Sequence, residues 1–200
     1  MATSEHVPLI GVLALQGGFA AHARVLRELG AEVREVRTPA DMSGPPALDG
    51  LVLPGGESTT MTLGIEREGL AEPLRAFASS GGPVFGTCAG LIMLDRVHLG
   101  VMDTVARRNA FGRQVHSFEA DLEFPDIDGP PVRAVFIRAP WIDEAGPDVQ
   151  VLAEVDGHPV AARQGELFVI SFHPELSDDT RLHAAFLERV RRRMERRDAA

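Results

Sequence analysis

The glycine-flanked cysteine at residues 86–90, Gly-Thr-Cys-Ala-Gly, constrains the fold of this chain more than any other sequence feature. Residues 83–85 before it (Pro-Val-Phe) are typical of a buried strand, and residues 91–94 after it (Leu-Ile-Met-Leu) are typical of a helix. Glycines two positions before and two positions after Cys88 permit a sharp turn between the two elements. Such a turn projects its central side chain from the end of a sheet, which is the elbow geometry of catalytic nucleophiles.

Cys88 is the only cysteine among 200 residues, and its predicted position favours reactivity. A helix that begins there directs free N–H groups and the positive end of its dipole at the sulfur, which favours the thiolate. The alternative is an inert buried cysteine, which is common for free thiols, but the glycine frame favours the nucleophile. One cysteine cannot form an internal disulfide, so a reducing, cytoplasmic location is expected.

The first half of the chain alternates predicted strands with predicted helices. Strands are predicted at 9–15, 32–36, 51–53 and 83–88, and helices at 19–29, 58–65 (capped by Ser58 or Thr59) and 70–78. The second half predicts short strands, some antiparallel, at 114–124, 132–137, 149–155, 160–162 and 167–172, and a final helix from 179. We therefore predict an α/β fold over residues 1–200: a single-domain, open, flavodoxin-like, mainly parallel sheet with helices on both faces.

Four of the predicted strands end in residues suited to chemistry. These ends are residues 15–18 (Leu-Gln-Gly-Gly), 54–57 (Pro-Gly-Gly-Glu), 86–88 and 172–175 (Phe-His-Pro-Glu). Ligands of open α/β sheets bind beyond the carboxyl ends of the strands. The sequence therefore predicts one site at one rim of the sheet.

A base for the thiolate is predicted at the last of these ends. His173 follows an apolar strand, and Glu175, two residues later, faces the same side if the chain is extended. A glutamate that accepts from one imidazole nitrogen leaves the other nitrogen for Cys88, which is the logic of a catalytic triad. The alternative for His-Pro-Glu is an ordinary capped turn, which the cysteine elbow disfavours. Backbone N–H groups of Gly56 and Ala89 are candidates for an oxyanion hole.

The remaining histidines carry weaker signals. His22, in the first predicted helix, is expected near the same rim as a supporting group. Five others are expected at the surface: His6, His98, His116, His158 and His183. No cluster has metal-ligand spacing, so no metal is expected, and no phosphate-binding glycine motif is present.

Composition excludes several classes of function. A net charge of −9 argues against nucleic-acid binding, and the basic run at 189–197 is expected to be a solvated helix end. No apolar run reaches the roughly 18 residues of a membrane span, and the N-terminus does not resemble a signal peptide. All 20 basic residues are arginine, so this chain supplies no Schiff-base lysine.

Two motifs together resemble a known superfamily. Residues 86–90 and 173–175 are similar to the nucleophile and His-Pro-Glu motifs of class I (triad) glutamine amidotransferases. Further blocks resemble, more narrowly, the glutaminase subunits of pyridoxal 5′-phosphate synthase: 15–17, 54–60 (Pro-Gly-Gly-Glu-Ser-Thr-Thr), 108–114 (Arg-Asn-Ala-Phe-Gly-Arg-Gln), 117–121, 136–140 and 171–176. These blocks run in order over nearly the whole chain.

The resemblance implies a reaction and a set of residues. Cys88 attacks the side-chain amide of L-glutamine, and His173, oriented by Glu175, passes a proton to the leaving ammonia. Water then hydrolyses the glutamyl thioester. The positions that match the family's glutamine-binding residues are Gly56, Glu57, Ser58, Arg108, Ile137 and Arg138. No cofactor is implied.

The resemblance also implies a partner. In the family, ammonia passes to a barrel-shaped synthase subunit in a hetero-oligomer. That subunit builds pyridoxal phosphate from sugar phosphates, carbonyl chemistry that calls for a lysine. Since this chain contains no lysine, the partner would have to supply it.

The chain departs from the family pattern at two points. Ala21 stands where a glutamate usually precedes His22, and the segment at 95–100 is short. Either a natural loop deletion or a stretch missing from the sequence would account for the short segment at 95–100.

Three alternative functions stay open at this point. The chain could be the glutaminase of another amidotransferase, although the block at 108–114 disfavours that assignment. It could be a cysteine peptidase on a related fold, or a non-catalytic binding protein with the same fold.

Overall fold

The computed structural model describes residues 7–111 and 117–199. Its strands, numbered along the chain, are β1 (Leu9–Leu13), β2 (Glu32–Val36), β3 (Gly50–Leu53), β4 (Val84–Thr87), β5 (Thr104–Arg107), β6 (Ser117–Leu122), β7 (Val132–Ile137), β8 (Trp141–Ala145), β9 (Gln150–Val155), β10 (His158–Gln164) and β11 (Leu167–Ile170). Its helices are α1 (Phe19–Glu28), α2 (Pro39–Ser43), α3 (Ser58–Arg67), α4 (Ala71–Ser79), α5 (Ala89–Leu94) and α6 (Arg181–Asp198), with a 3₁₀ turn at Pro174–Leu176.

Seven strands form the main sheet, in the order β2-β1-β3-β4-β11-β10-β9. The first five strands in that order pair in parallel, whereas β10 pairs antiparallel with both β11 and β9. The prediction of a mainly parallel α/β sheet with some antiparallel strands is therefore confirmed.

Alternating apolar residues give the sheet two buried faces. In β1, Ile10 and Val12 join a core with residues of α1 and α6, whereas Leu9 and Leu13 join a second core with residues of α3, α4 and α5. Because successive side chains of a strand point to opposite faces, a fully apolar strand needs helices on both sides. This packing on both faces explains why the sequence of β1 is a continuous apolar run.

Two small antiparallel sheets lie outside the main one. β6 pairs with β7, and β5 pairs with β8. The strand expected at 114–124 is present as Ser117–Leu122, and its expected start at Gln114 lies outside the described residues. The strands β5 and β8 and the short helix α2 were not predicted, since each is only four or five residues long and mostly exposed or half-buried.

The short segment at 95–100 forms a closed turn. The buried Asp95 carboxylate accepts hydrogen bonds from the backbone N–H groups of Val97 and His98, and Gly100 N–H donates to the carbonyl of Asp95 at 2.7 Å. In the described part of the chain, no helix combines the length and the apolar character needed to cross a membrane.

The topology brings the predicted strand ends together. β1, β3, β4 and β11 are consecutive neighbours in the parallel part of the sheet, so their carboxyl ends share one rim. The segments that follow these four strands contain Gly56, Cys88 and His173, whereas Arg108, Ile137 and Arg138 lie at the ends of β5 and β7.

Candidate active site

Cys88 lies at a strained turn between β4 and α5. Its backbone has φ 48° and ψ −103°, a conformation that non-glycine residues rarely adopt, and its N–H donates to the Ile170 carbonyl at 2.9 Å. A Cβ at Gly90 would lie 2.0 Å from the Leu53 carbonyl oxygen, and one at Gly86 would lie 2.9 Å from the Gly90 carbonyl group. Both glycines are therefore required by close backbone approach, as in a nucleophile elbow.

His173 and Glu175 form the second part of the site. His173 Nδ1 lies 2.9 Å from Glu175 Oε1, and the two side chains are 12% and 2% exposed. An extended backbone was expected between them, but Pro174 begins the 3₁₀ turn, so the backbone is not extended. The N–H of His173 donates to the Val135 carbonyl at 2.9 Å, so β7 also holds the histidine in place.

The turn at Gly55 brings Cys88 and His173 together. A Cβ at Gly55 would lie 2.5 Å from His173 Cε1 and 3.3 Å from Cys88 Cβ, so both side chains pack against this glycine. The carbonyl of Gly55 accepts the N–H of Gly18 at 3.0 Å, which fixes the turn to the segment after β1.

Contacts within the site stabilise the charged forms of His173 and Glu175. Burial disfavours a charged His173, but hydrogen bonds with Cys88 and Glu175 prevail and raise the pKa of His173 to about 10. Burial likewise opposes ionisation of Glu175, but the hydrogen bond from His173 and the nearby imidazoles hold its pKa below the ordinary value. The pair is therefore an imidazolium and a carboxylate at neutral pH.

A cleft of about 550 Å³ opens at this rim, and every predicted site residue lines it. The catalytic candidates in the cleft are Cys88, His173 and Glu175. The predicted binding and oxyanion residues in the cleft are Gly56, Glu57, Ser58, Ala89, Arg108, Ile137 and Arg138. Gly17, Gly18, Asn109, Pro140 and Leu176 also line the cleft and were not predicted as site residues. Residues 112–114 of the Arg-Asn-Ala-Phe-Gly-Arg-Gln block lie outside the described residues.

Glu57 caps helix α3, whereas Ser58 or Thr59 was the predicted cap. Its carboxylate accepts the backbone N–H groups of Thr59 and Thr60, and these bonds lower the pKa of Glu57 to about 2. Arg108 Nη2 lies 3.2 Å from Glu57 Oε1, which places a positive and a negative charge side by side at the cleft.

Gln16 was part of a motif but had no assigned role, and the structure gives it one. Its amide nitrogen donates to the Glu57 carbonyl at 2.9 Å, and its oxygen accepts the Glu57 N–H at 3.1 Å. A Cβ at Gly56 would lie 2.5 Å from the same amide nitrogen. Gln16 therefore holds the Gly56–Glu57 backbone in place from the end of β1.

Backbone strain is concentrated at the cleft. Among the described residues, four non-glycine residues have positive φ, and three of these, Cys88, Asn109 and Arg138, line the cleft. Such conformations cost about 1–3 kcal/mol each and tend to occur at functional sites. Ile137, the last residue of β7, is 38% exposed beside Arg138.

Two further histidines lie behind His173 and Glu175. His22 was expected near the rim as a supporting group; it is fully buried, and its Nε2 is 3.3 Å from Glu175 Oε2. His183 was expected at the surface, and that expectation was wrong: it is fully buried, and its Nε2 is 2.9 Å from His22 Nδ1. The missed signal was its helical spacing with the buried Leu187, Val190 and Met194.

The other histidines and possible metal ligands are less informative. His98 and His158 are half-buried rather than fully exposed, and His6 and His116 lie outside the described residues. Within the described ranges, no group of three or more His, Cys, Asp or Glu side chains is placed to hold a metal ion.

Comparisons with known proteins agree with this geometry. Residues 12–192 match the SNO glutamine amidotransferase family. The curated protein "Pyridoxal 5′-phosphate synthase subunit PdxT" of Parafrankia sp. (strain EAN1pec) is 54% identical, and the alignment covers 92% of this chain and 94% of that protein. The protein of the same name from Carboxydothermus hydrogenoformans is 51% identical, with 90% and 97% covered.

Solved structures agree as well. A crystal structure of a glutamine amidotransferase has a TM-score of 0.83 and 44% identity, and the match covers 90% of this chain and 98% of that one. The structure of PurLQS from Thermotoga maritima has a TM-score of 0.71 at 17% identity, covers 92% of this chain and 99% of that one, and supports the fold alone. This chain therefore belongs to the SNO glutamine amidotransferase family.

Proposed function

We propose that this protein is the glutaminase subunit of a pyridoxal 5′-phosphate synthase and that it hydrolyses L-glutamine with Cys88, His173 and Glu175. The observation that carries the proposal is the 2.9 Å contact between His173 Nδ1 and Glu175 Oε1, next to the Cys88 elbow in one cleft. This is the arrangement of nucleophile, base and orienting carboxylate that acyl transfer needs. Relatives about 50% identical named as subunits of this synthase favour it over another amidotransferase.

The first half of the reaction forms a thioester. The Cys88 thiolate attacks the side-chain amide carbon of glutamine, and the amide oxygen takes up the negative charge of the tetrahedral intermediate. As the C–N bond breaks, the His173 imidazolium gives its Nε2 proton to the leaving nitrogen, so that ammonia departs. Because the pKa of His173 is raised to about 10, the proton donor is available at neutral pH.

The second half of the reaction restores the enzyme. Neutral His173 takes a proton from water, and the resulting hydroxide attacks the thioester carbon. The C–S bond then breaks, glutamate leaves, and the thiolate and imidazolium are regenerated. Glu175 keeps Nδ1 protonated throughout, which leaves Nε2 facing the reacting atoms.

Two backbone N–H groups are proposed to stabilise the tetrahedral intermediate. Ala89 is the first residue of α5, so its N–H has no partner within the helix. Gly56 lies across the cleft, where Gln16 holds the backbone after β3. N–H donors from both sides of the cleft would bind the oxyanion between them.

The charge pattern at the cleft suits a free amino acid. Arg108 presents a guanidinium fork for the α-carboxylate of glutamine, and Glu57, kept ionised by its lowered pKa, suits the α-ammonium group. Ser58, Ile137 and Arg138 also line the cleft and are proposed to complete the glutamine site. The two adjacent charges would discriminate against peptides, which have no free α-charges at internal residues.

The proposed destination of the ammonia is a synthase subunit in a hetero-oligomer. Ammonia that escaped to water would be protonated and lost, so release next to its acceptor is an advantage. The acceptor chemistry calls for a lysine that this chain does not contain, which supports a division of labour between two subunits. We also propose that the protein acts in the reducing cytoplasm, where Cys88 stays a free thiol.

Glutamate release from L-glutamine, measured with and without a pyridoxal 5′-phosphate synthase subunit, tests this function. We expect low activity of the chain alone and a clear rise when the synthase subunit is added. High turnover that does not depend on the partner would argue against the subunit assignment. Hydrolysis of peptide substrates with no activity on glutamine would instead support a cysteine peptidase.

A further inference from the structure

A buried chain of polar groups continues behind the proposed triad. Glu175 accepts from His173 with Oε1, whereas its other oxygen, Oε2, has no well-formed hydrogen bond to the described residues. His22 Nε2 lies 3.3 Å from this Oε2 and 3.1 Å from Thr87 Oγ1. Thr87 directly precedes Cys88, so His22 stands between the carboxylate and the backbone of the nucleophile.

The partners of His22 determine which nitrogen carries its proton. An ionised carboxylate can only accept a hydrogen bond, so a lone pair on His22 Nε2 facing Glu175 Oε2 would be repelled. A proton on Nε2 turns the same contact into an attraction. His22 Nδ1 is then free to accept a hydrogen bond from His183 Nε2, 2.9 Å away.

The surroundings of His183 lead to the same assignment. His183 Nδ1 is buried and has no hydrogen-bond partner among the described residues. If His22 donated to His183, this nitrogen would have to carry a proton with nowhere to donate it, which costs about 1–3 kcal/mol. If His183 donates instead, the orphan is only a lone pair. Both rings also stay neutral, because burial lowers the pKa of His22 to about 4 and that of His183 to about 3.

We infer that His22 is a positioning residue, which donates from Nε2 to Glu175 Oε2 and Thr87 Oγ1 and is locked in that tautomer by His183. The polar chain then runs in one direction, from His183 to His22 to Glu175, while His173 donates to the same carboxylate from the other side. The start of α1 also packs closely against the carboxylate: a Cβ at Gly18, just before α1, would lie 2.8 Å from Glu175 Oε1. The inference rests on the proposed function for its catalytic consequence.

The consequence is control of the rotamer and charge of Glu175. The titratable groups that face this carboxylate are His22 from α1 and His173 from the end of β11, with His183 of α6 behind His22 and Cys88 beside His173. Loss of the His22 donor removes the N–H that faces the buried Oε2 at 3.3 Å, which raises the pKa of Glu175 and frees the side chain to turn. The acid limb of the kcat/KM profile should therefore move to higher pH.

The kinetic test uses the complex with the synthase subunit and two variants. His22→Leu keeps the bulk of the ring and removes the donor, so kcat for glutamine should fall about 10- to 100-fold while KM stays within about 2-fold. His22→Gln places an amide N–H near the position of Nε2, and it should recover most of kcat and restore the acid limb. A loss of kcat in His22→Gln as large as in His22→Leu would contradict the inference.

A matched control comes from a second histidine–carboxylate contact. His98 Nδ1 lies 2.8 Å from Asp95 Oδ1, and neither residue lines the cleft. His98→Leu should leave kcat and the pH profile as in the wild type, even if stability falls. An equal change of the pH profile in His98→Leu would show a merely structural effect and would overturn the inference.

A measurement on the wild-type protein makes the test independent of folding of the variants. Nitrogen-15 NMR distinguishes the two neutral tautomers of histidine, and we expect the Nε2–H form for both His22 and His183 at pH 7. An Nδ1–H tautomer or a charged ring at His22 would overturn the inference. If the wild-type complex failed to hydrolyse glutamine, the proposed function would fail, whereas the NMR result would still decide the tautomers.

Discussion

Burial disfavours the charged form of all three histidines, but the net pKa shift of His173 is opposite to that of the two histidines behind it. His173 has two acidic partners, Cys88 and Glu175, which stabilise its charged form and outweigh burial. His22 faces the same carboxylate but is more deeply buried and lies next to the ionised His173 and the neutral His183, so burial prevails and its neutral form is favoured. Of these three imidazoles, the proposed site thus keeps charged only the one that has to deliver a proton.

These differences predict how stability depends on pH. His22 and His183 have pKa values of about 4 and about 3, below the ordinary histidine value of 6.5, so the unfolded chain binds more protons than the folded one below pH 6.5. The free energy of unfolding should therefore fall by about 2 kcal/mol per histidine between pH 6.5 and 5. His173, with its raised pKa, contributes stability at pH 6.5 that is lost as the pH rises through about 10.

Urea unfolding at a series of pH values measures this effect. The stability curve should peak near neutral pH, and His183→Leu should have a shallower fall on the acid side, since one of the two titrating groups is gone. A free energy of unfolding that stays constant from pH 6.5 to 5 in the wild type would contradict the assigned burial of the two neutral rings.

At the scale of elements, the elbow between β4 and α5 is the most predictable part of the structure. Its glycine frame, its apolar strand and its apolar helix are all local in sequence, so the motif can be interpreted without knowledge of distant contacts. The role of Gln16 depends on its contact with Glu57, 41 residues away, and could not be derived from local patterns. The same limit applies to His183, whose partner His22 is 161 residues away.

The weakest predictions concern short, exposed elements. The strands β5 and β8 pair with each other although β6 and β7 lie between them in the chain, and their half-exposed, charged sequences have no clear alternation. The 3₁₀ turn at Pro174 packs against α1 and β7, which are distant in the sequence, and it was not predicted from its proline. The contact between His173 and Glu175 was predicted correctly, but the extended backbone conformation assumed for it was wrong.

Substitution at Gly90 tests the geometry of the elbow. In Gly90→Ala, the new Cβ would lie 2.0 Å from the Leu53 carbonyl oxygen of β3, and backbone on both sides would have to move. We expect a loss of about 1–3 kcal/mol or more in the free energy of unfolding.

Gly64→Ala in α3 is the matched control for Gly90→Ala. Its Cβ would lie 3.1 Å from a flexible atom, Leu15 Cδ1, and alanine favours the helix. The free energy of unfolding should therefore change by less than about 1 kcal/mol. Equal stability of the two variants in denaturant unfolding would contradict the close approach of α5 to β3.

At the scale of the whole molecule, four adjacent strands of the sheet deliver the candidate machinery to one rim. The segment after β1 supplies Gln16, the one after β3 supplies Gly56 and Glu57, and those after β4 and β11 supply the nucleophile and its base. The parallel direction of the strands in the first half of the chain follows from alternating strands and helices, so the convergence of their carboxyl ends could be predicted from the sequence, whereas the order of the strands was not predicted. The positions of Arg108 and Arg138, on loops outside the main sheet, could be expected only from the family resemblance.

Glutamate release by the complex of this chain with its synthase subunit, compared between wild type and Cys88→Ala, tests the central claim most directly. Cys88 is only 6% exposed, so the substitution should leave binding of the synthase subunit unchanged. Because no other thiol is present, hydrolysis should fall by about 10⁴-fold or more. Glutamate release by Cys88→Ala at close to the wild-type rate would contradict the account, since Cys88 could not then be the nucleophile.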